Sequence, residues 1–228
     1  ATTPDPADQP LEKAMSSADD EAHEARLNAL FGWSNAVEVL GGERASDPVL
    51  AAWRDQRLRY GYWELLLPLA DAVCPKTALI LGLGGGTVAT LLARRCPQTR
   101  MVGVERDERA LEVAHEQFGL DELPQLTIAQ ADAFAWVREQ VTRPERYDLI
   151  CLDLFEGGRL AQGALGTPFL RQVATLLAPD GLLTVNVLQT ARTPDHLRRL
   201  GRIFTIELIL RLYGNVVIHC RPSGGSGL

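Results

Sequence analysis

A glycine cluster directly after an apolar run is the feature that most constrains the fold of this chain. The sequence LILGLGGGT spans Leu79 to Thr87, and the next residues, VATLLARRC, predict a helix. A strand, a glycine turn and a helix in this order present bare backbone to a nucleotide-like ligand in a parallel α/β sheet. Glycine is needed because the turn is tight and a side chain would block the ligand. The glycines are Gly82, Gly84, Gly85 and Gly86.

Strands and helices alternate from residue 77 onward. Five strands, each followed by a helix, are predicted at 78–83, 100–104, 126–129, 147–152 and 182–188. The helices are predicted directly after Gly86 and at 107–119, 133–140, 167–179 and 193–204. Two further strands, 206–212 and 216–220, are joined by a tight turn and must be antiparallel. The predicted fold class is α/β: a Rossmann-like, seven-stranded, mostly parallel sheet with a C-terminal antiparallel hairpin.

The residues before this domain form two predicted segments. Residues 1–20 are rich in Pro, Asp, Ala and Ser without periodicity, which predicts a disordered tail. Residues 21–76 predict a short helical extension, with a helix at 21–31 and a strand at 36–40. A second helix is predicted from Asp47–Pro48 onward, with bends at Gly61 and Pro68. The remaining residues, 77–228, are predicted to form one domain that binds a nucleoside-like ligand at the glycine loop.

Composition excludes several classes of protein. The chain has 228 residues and a formal net charge of −6, which suits one domain plus an extension without a nucleic-acid partner. No apolar run reaches the length of a membrane span, and no signal-peptide pattern is present. The cysteines, Cys74, Cys96, Cys151 and Cys220, are far apart and form no CxxC pair. This spacing predicts no metal or redox site and favours a reducing cytoplasm.

Acidic residues follow three neighbouring strands of the predicted sheet. They are Glu105, Asp132 and Asp153, and ligands bind at the carboxyl ends of strands in such sheets. Glu105 suits two ribose hydroxyls, and Asp132 suits an adenine amino group with the N–H of Ala133 completing the base edge. Asp153 would face the reactive end of the ligand. The alternative for each carboxylate is a helix N-cap or a solvated loop charge.

Together these residues resemble the class I S-adenosylmethionine-dependent methyltransferase fold. That fold has GxGxG after its first strand, matched by Gly82, Gly84 and Gly86, and acidic residues after the next two, matched by Glu105 and Asp132. Within this fold, two segments of the chain are similar to the glycine loop and the fourth strand of the spermidine synthase family: ALILGLGGG and YDLICLDLFEGG. YGYWELLLPLA is similar to that family's tyrosine-containing helix. The resemblance covers about residues 77 to 220.

The resemblance implies a spermidine synthase-like transferase that acts on an amine or another small nucleophile, by aminopropyl or methyl transfer. The implied cofactor is S-adenosylmethionine or its decarboxylated form. Asp153 and Glu156 fill the family's D-x-x-D/E pair as implied catalytic residues, and Tyr60, Tyr62 and Trp63 are implied substrate residues. The implied cofactor-binding residues are Gly82, Leu83, Gly84, Gly85, Gly86, Glu105, Arg106, Asp132, Ala133 and Asp153. A small-molecule substrate, with a polyamine as one candidate, and a homodimer are also implied.

Two positions depart from the spermidine synthase pattern. Gly85 stands where those enzymes usually place an Asp that helps to hold the aminopropyl amine. Arg106 stands where an apolar residue commonly packs on adenine, although a guanidinium also stacks on a ring.

Two alternative functions stay open. A non-catalytic module that binds an adenosyl ligand would keep the fold and lose the chemistry. An NAD-binding dehydrogenase would use GLGGGT with Glu105, but the sixth position of its fingerprint is Thr87.

Overall fold

The computed structural model describes residues 38–41, 61–68, 74–143, 145–212 and 214–224. The predicted tail, 1–20, and most of the predicted extension, 21–76, lie outside the described residues. Within that extension the structure describes a short strand, a 3-10 helix and the residues that lead into the first strand of the domain.

An eight-stranded sheet forms the centre of the domain, and a two-stranded hairpin lies outside it. The strands are β1 (Glu38–Gly41), β2 (Thr77–Leu81), β3 (Arg100–Glu105), β4 (Leu126–Gln130), β5 (Tyr147–Leu152), β6 (Phe155–Glu156), β7 (Arg159–Leu160), β8 (Leu177–Leu188), β9 (Phe204–Leu212) and β10 (Asn215–Pro222). The order in the sheet is β1-β9-β10-β8-β5-β2-β3-β4, and β6 pairs with β7.

The five strands β4, β3, β2, β5 and β8 run parallel to one another. Strand β10 lies antiparallel between β8 and β9, because a tight turn joins it to β9. The seven predicted strands and the antiparallel hairpin are therefore confirmed. The strand predicted at 36–40 is present as β1, which pairs antiparallel with β9 and adds an eighth strand at the edge.

Helices connect the parallel strands as predicted. They are α1 (Thr87–Arg95), α2 (Glu108–Phe118), α3 (Ala133–Gln140), α4 (Thr167–Leu176) and α5 (Thr193–Leu200). Helix α4 ends before the predicted 179, because the residue ahead of Pro179 is disfavoured in a helix and β8 already begins at Leu177. Helix α5 ends before the predicted 204, where β9 begins. None of the described helices is long and apolar enough to cross a membrane.

Between the two predicted bends of the long helix, at Gly61 and Pro68, the structure has a 3-10 helix, Gly61–Leu66, in place of the predicted α-helix. Gly61, where a bend was predicted, has a φ of 78°. A regular α-helix cannot continue through a residue with this φ. The last residues of this 3-10 helix, Leu65 and Leu66, are fully buried against one face of the sheet with α1 and α2. Helices α3, α4 and α5 pack on the opposite face.

A disulfide joins Cys74 to Cys96, a pair that was not predicted from the sequence. The two residues are 22 positions apart in sequence, so spacing alone did not suggest the pair. They meet because Cys74 precedes β2 and Cys96 is the C-cap of α1, and a helix that follows a strand runs back toward the start of that strand. Cys151 and Cys220 are free and buried.

We expect the double variant Cys74→Ala/Cys96→Ala to lose stability. Closing a loop of this length stabilises a fold by about 3 kcal/mol, since the cross-link restricts the unfolded chain. Denaturant unfolding of the two proteins measures the difference. A reductant should lower the Tm of the wild type and leave the double variant unchanged; an equal response of both would contradict the prediction.

His219 in β10 is one of the few polar side chains buried in the described core. Its Nε2–H donates to the carbonyl of Leu65 over 2.7 Å, and burial lowers the pKa of its imidazole to about 4. The unfolded chain gains this proton near pH 6.5, so folding opposes protonation between these two values.

His219 should therefore make stability depend on pH. Its contribution is complete above about pH 6.5 and is lost as the pH falls toward about 4, by about 3 kcal/mol in total. The difference in unfolding free energy between the wild type and His219→Gln, followed from pH 7 to pH 4, isolates this residue from other titrating groups. A difference that stays constant over this range would contradict the assignment.

Candidate functional site

A cleft of about 320 Å³ opens at the carboxyl ends of β2, β3, β4 and β5. Its volume lies in the range of small-molecule sites. Its lining residues are Tyr62, Trp63, Gly82, Leu83, Gly84, Gly85, Thr87, Val88, Val104, Glu105, Arg106, Ala131, Asp132, Ala133, Phe134, Asp153, Leu154, Phe155 and Ala161. The three predicted acidic strand ends and most of the glycine loop therefore share one cleft.

The glycine loop needs glycine at three of its four positions. Gly82, Gly84 and Gly86 have φ values of 88°, 53° and 82°, a region that favours glycine. A Cβ at Gly82 would overlap the carbonyl of Asp153, whereas at Gly84 it would meet nothing within 4 Å. Gly85 is different, because its φ is not positive and a Cβ there would lie 3.5 Å from the ring of Phe118. Of the four loop glycines, Gly85 is thus the one whose backbone accepts a side chain without strain.

Glu105 holds the glycine loop against the end of β3. Its Oε2 accepts a hydrogen bond from the backbone N–H of Gly84 over 2.9 Å. Its Oε1 accepts from the N–H groups of Arg106 and Asp107 over 2.9 and 3.0 Å. A carboxylate has about four acceptor positions. Glu105 therefore organises the loop and keeps limited capacity for the ribose hydroxyls that the sequence assigns to it.

Asp132 is a helix N-cap that also lines the cleft, and its contact with adenine stays a prediction. It is the N-cap of α3, where its Oδ1 accepts from the N–H of Ala135 over 2.9 Å, and it also lines the cleft beside Ala133. Phe134 adds an aromatic wall, with its ring centroid 4.6 Å from that of Phe169. This corner joins a carboxylate to a flat apolar surface, as an adenine ring requires.

Asp153 lies at the inner end of the cleft, directly after β5. Its Oδ2 accepts from the hydroxyl of Tyr62 over 3.0 Å, and its Oδ1 accepts from the Asn186 amide over 2.8 Å. Burial raises the pKa of the Asp153 carboxyl above its ordinary value, while the bonds from Asn186 and Tyr62 lower it. Burial and the neighbouring carboxylate also raise the pKa of Tyr62, which stays a phenol. Asp153 is thus a partly desolvated carboxylate with two fixed donors.

Comparison with known proteins agrees with the fold that positions this cleft. A family model described as a methyltransferase domain matches residues 78–181. The structure of human methyltransferase-like protein 13 in complex with SAH superposes with a TM-score of 0.61 at 23% identity, covering 73% of this chain and 81% of that one. The chain has the class I methyltransferase fold. The predicted fold class is confirmed.

Sequence similarity links this methyltransferase fold to two kinds of transferase. The polyamine aminopropyltransferase of Vibrio vulnificus is 29% identical over 156 residues, which are 68% of this chain and 52% of that protein. The eEF1A lysine and N-terminal methyltransferase of Mus musculus is 28% identical over 158 residues, 64% of this chain and 23% of that protein. The chain spans about half the length of the first relative and about a quarter of the second. The predicted spermidine synthase-like resemblance is confirmed.

Two of the three predicted substrate aromatics, Tyr62 and Trp63, lie on the 3-10 helix. Tyr62 and Trp63 line the cleft, and their ring centroids are 4.6 Å apart. Tyr60 lies outside the described residues. The 3-10 helix therefore covers the end of the cleft that holds Asp153.

Arg106 and Glu156 meet at the mouth of the cleft. The guanidinium of Arg106 donates to Oε1 of Glu156 over 2.7 Å, and both side chains are more than half exposed. The structure thus directs Arg106 toward a carboxylate and brings Glu156 to Arg106 instead of to Asp153. The adenine-stacking role of Arg106 and the catalytic role of Glu156 stay predictions.

Asn186 is the site residue that sequence reasoning missed. It lies in β8, is only 1% exposed, and contacts Asp153 because Leu152 pairs with Val185 one residue earlier. Its Oδ1 is buried and makes no hydrogen bond with the described residues. The signal in the sequence was a lone amide in the apolar strand LLTVNVL.

Proposed function

We propose that the protein is an adenosylsulfonium-dependent transferase that modifies an amine or another small nucleophile. The observation that carries this proposal is the position of Asp153, a half-buried carboxylate beside the glycine loop with fixed partners in Tyr62 and Asn186. A carboxylate whose pKa is raised by burial suits proton transfer to or from a reacting group.

The cleft fits an adenosyl ligand in three respects. Gly84 leaves its loop face open, so a ligand can approach the backbone there. Glu105 and Asp132 offer acceptors for ribose hydroxyls and an adenine amino group. Phe134 supplies a ring surface next to Asp132. When bound, the sulfonium group would supply an electrophilic carbon.

The protein's own contribution is to position the nucleophile and take up its proton. Asp153 would accept a proton from an acceptor ammonium, leaving the amine lone pair free. Tyr62 and Asn186 each donate to one of the two oxygens of the Asp153 carboxylate. These bonds keep the carboxylate oriented toward the nucleophile. The ring faces of Tyr62 and Trp63 favour a cation in this part of the cleft.

Methyl transfer from S-adenosylmethionine is the branch that Gly85 favours. A carboxylate at this position would attract the ammonium of the decarboxylated cofactor and repel the carboxylate of S-adenosylmethionine. Gly85 has no such charge, and the uncapped N-terminus of α1 beside it attracts anions. Aminopropyl transfer is the second candidate, supported by the similarity to the Vibrio vulnificus enzyme.

The nature of the acceptor follows from the same groups. The Asn186 amide donates to Asp153 through its nitrogen, while its oxygen, Oδ1, is buried without a hydrogen-bond donor among the described residues. The N–H group of an amine that binds next to Asp153 could donate to this oxygen. A small amine, with a polyamine as one candidate, is therefore the proposed substrate. The homodimer stays a prediction.

The disulfide bears on the compartment in which the protein works. A reducing cytoplasm stays a prediction, but the Cys74–Cys96 disulfide removes its main support. Disulfides persist chiefly in oxidising compartments. Fractionation of the native organism, with the thiol state of Cys74 and Cys96 read by alkylation, would decide between them.

A thermal-shift comparison of the purified protein tests the proposal. The ligands are S-adenosylmethionine, its decarboxylated form and methylthioadenosine, with NAD as the control. Stabilisation by at least one sulfonium donor, followed by transfer of its labelled group to an amine, is the expected result. Stabilisation without transfer to any amine would favour the non-catalytic binding module, and stabilisation by NAD alone would favour the dehydrogenase.

A further inference from the structure

Three polar side chains form a row across the sheet beneath the 3-10 helix. They are Cys151 in β5, Thr184 in β8 and His219 in β10, and we call them the anchor row. Thr184 pairs in register with both of the others. All three side chains are almost completely buried.

The anchor row binds the carbonyl groups at the end of the 3-10 helix. Thr184 Oγ1 donates to the carbonyl of Leu66 over 2.9 Å, and His219 Nε2 donates to that of Leu65 over 2.7 Å. The thiol of Cys151 lies 3.5 Å from the carbonyl of Leu66, and burial raises its pKa to about 12, so it stays a donor. Buried carbonyls without partners are costly, so these bonds satisfy the end of the helix.

The catalytic groups lie in the next row of the same sheet face. Asp153 follows Cys151 by two residues, and Asn186 follows Thr184 by two residues, so each pair shares a face. On the helix, the anchored carbonyls of Leu65 and Leu66 lie within about a turn of Tyr62, whose hydroxyl contacts Asp153. A six-residue 3-10 helix has little stability of its own, so its position depends on such contacts.

We propose that Thr184 and His219 are positioning residues, which hold Tyr62 against Asp153 by fixing the carbonyl end of the 3-10 helix. This inference rests on the proposed function for its kinetic consequence, because Tyr62 orients the carboxylate that would take up the acceptor's proton. Its structural consequence, a tightly held segment 61–68, can be measured without any ligand.

A matched pair of variants separates positioning from general stability. Thr184→Val and Thr99→Val each remove a buried hydroxyl that donates to a backbone carbonyl, of Leu66 in the first case and of Pro75 in the second. Thr99 is equally buried but does not line the cleft, and its partner Pro75 precedes β2, at the end of that strand opposite to the glycine loop. Both variants should lose similar stability.

Only Thr184→Val should loosen the 3-10 helix. We expect amide hydrogen exchange in residues 61–68 to become about tenfold faster, and kcat to fall about tenfold while the affinity for the adenosyl ligand stays unchanged. In a Tyr62→Phe background Thr184→Val should lower kcat no further. His219→Gln, which keeps a side-chain N–H donor, should resemble the wild type more than His219→Leu.

Two results would overturn the inference. One is equal exchange in residues 61–68 and equal kcat for Thr184→Val and Thr99→Val. The other is full additivity of Thr184→Val with Tyr62→Phe, which would mean that Thr184 acts independently of Tyr62. If the wild type modifies no amine with any sulfonium donor, the proposed function fails, and the exchange comparison alone then decides whether the anchor row holds the helix.

Discussion

Asp153→Asn should lower kcat by at least about a hundredfold while leaving the affinity for the adenosyl ligand nearly unchanged. The amide keeps the size of the carboxylate and one acceptor for the Asn186 and Tyr62 donors, but it cannot take up a proton. Single-turnover transfer to an amine measures the chemical step, and a thermal shift with the same donor measures binding. Turnover that survives the substitution would remove Asp153 from the mechanism.

Asp148→Asn is the matched control for this variant. Asp148 lies in β5 like Asp153 but at the other end of the strand, where its carboxylate accepts from the backbone N–H groups of Lys76 and Thr77. We expect it to lower stability and leave kcat unchanged. Asp153→Asn should behave in the opposite way at neutral pH, because the amide removes a charge whose burial raises the pKa of the carboxyl and so costs folding free energy there.

The pH profile gives a further view of the same group. Burial raises the pKa of Asp153. On the acid side of the profile, which we call the acid limb, kcat should therefore fall at a higher pH than the pKa of an exposed aspartate would give. The Asn186 amide stabilises the charged carboxylate and lowers this pKa. In Asn186→Leu the limb should therefore move to higher pH. A limb that does not move would mean that another group titrates in the profile.

Sequence periodicity predicted the sheet well because its central strands, such as β2 and β5, are buried on both faces and its helices alternate with the strands. Helix α3 falls at 133–140 as predicted, and β5 at 147–152 as predicted. The predictions failed where tertiary pairing overrides local pattern. Leu177 joins β8 through its bridge to Tyr147, although the preceding residues continue a helical pattern.

The candidate site was predictable to the extent that it lies at strand ends. Glu105 is the last residue of β3, and Asp132 and Asp153 come within two residues of the ends of β4 and β5, so topology alone brings them to one cleft. Asn186 and the anchor residue His219 lie inside strands, and their contacts depend on which strands are neighbours. The Cys74–Cys96 pair likewise depends on how α1 packs back along β2. Such contacts need the register of the sheet, which no local pattern supplies.

Gly85→Asp should change which sulfonium donor the cleft prefers. The backbone at Gly85 has no positive φ, and a Cβ would lie at an ordinary 3.5 Å from the ring of Phe118, so the loop accepts this side chain without strain. The new carboxylate would attract the free ammonium of decarboxylated S-adenosylmethionine and repel the carboxylate of S-adenosylmethionine. Both donors carry this ammonium, so only the repulsion of the S-adenosylmethionine carboxylate, worth about 1.4 kcal/mol, changes the ratio of the two affinities. We therefore expect the ratio to change by about tenfold in favour of the decarboxylated donor.

Gly85→Asn is the control that isolates charge from size. The asparagine side chain has nearly the shape of aspartate but no charge. It should therefore lower the affinities for both donors equally and leave the ratio of these affinities unchanged. Isothermal titration of both donors against the three proteins gives the ratio directly. The same change in Gly85→Asn and Gly85→Asp would mean that bulk at the loop, and not charge, selects the donor. In that case Gly85 would no longer favour methyl transfer, and the similarity to aminopropyltransferases would become the stronger guide to the reaction.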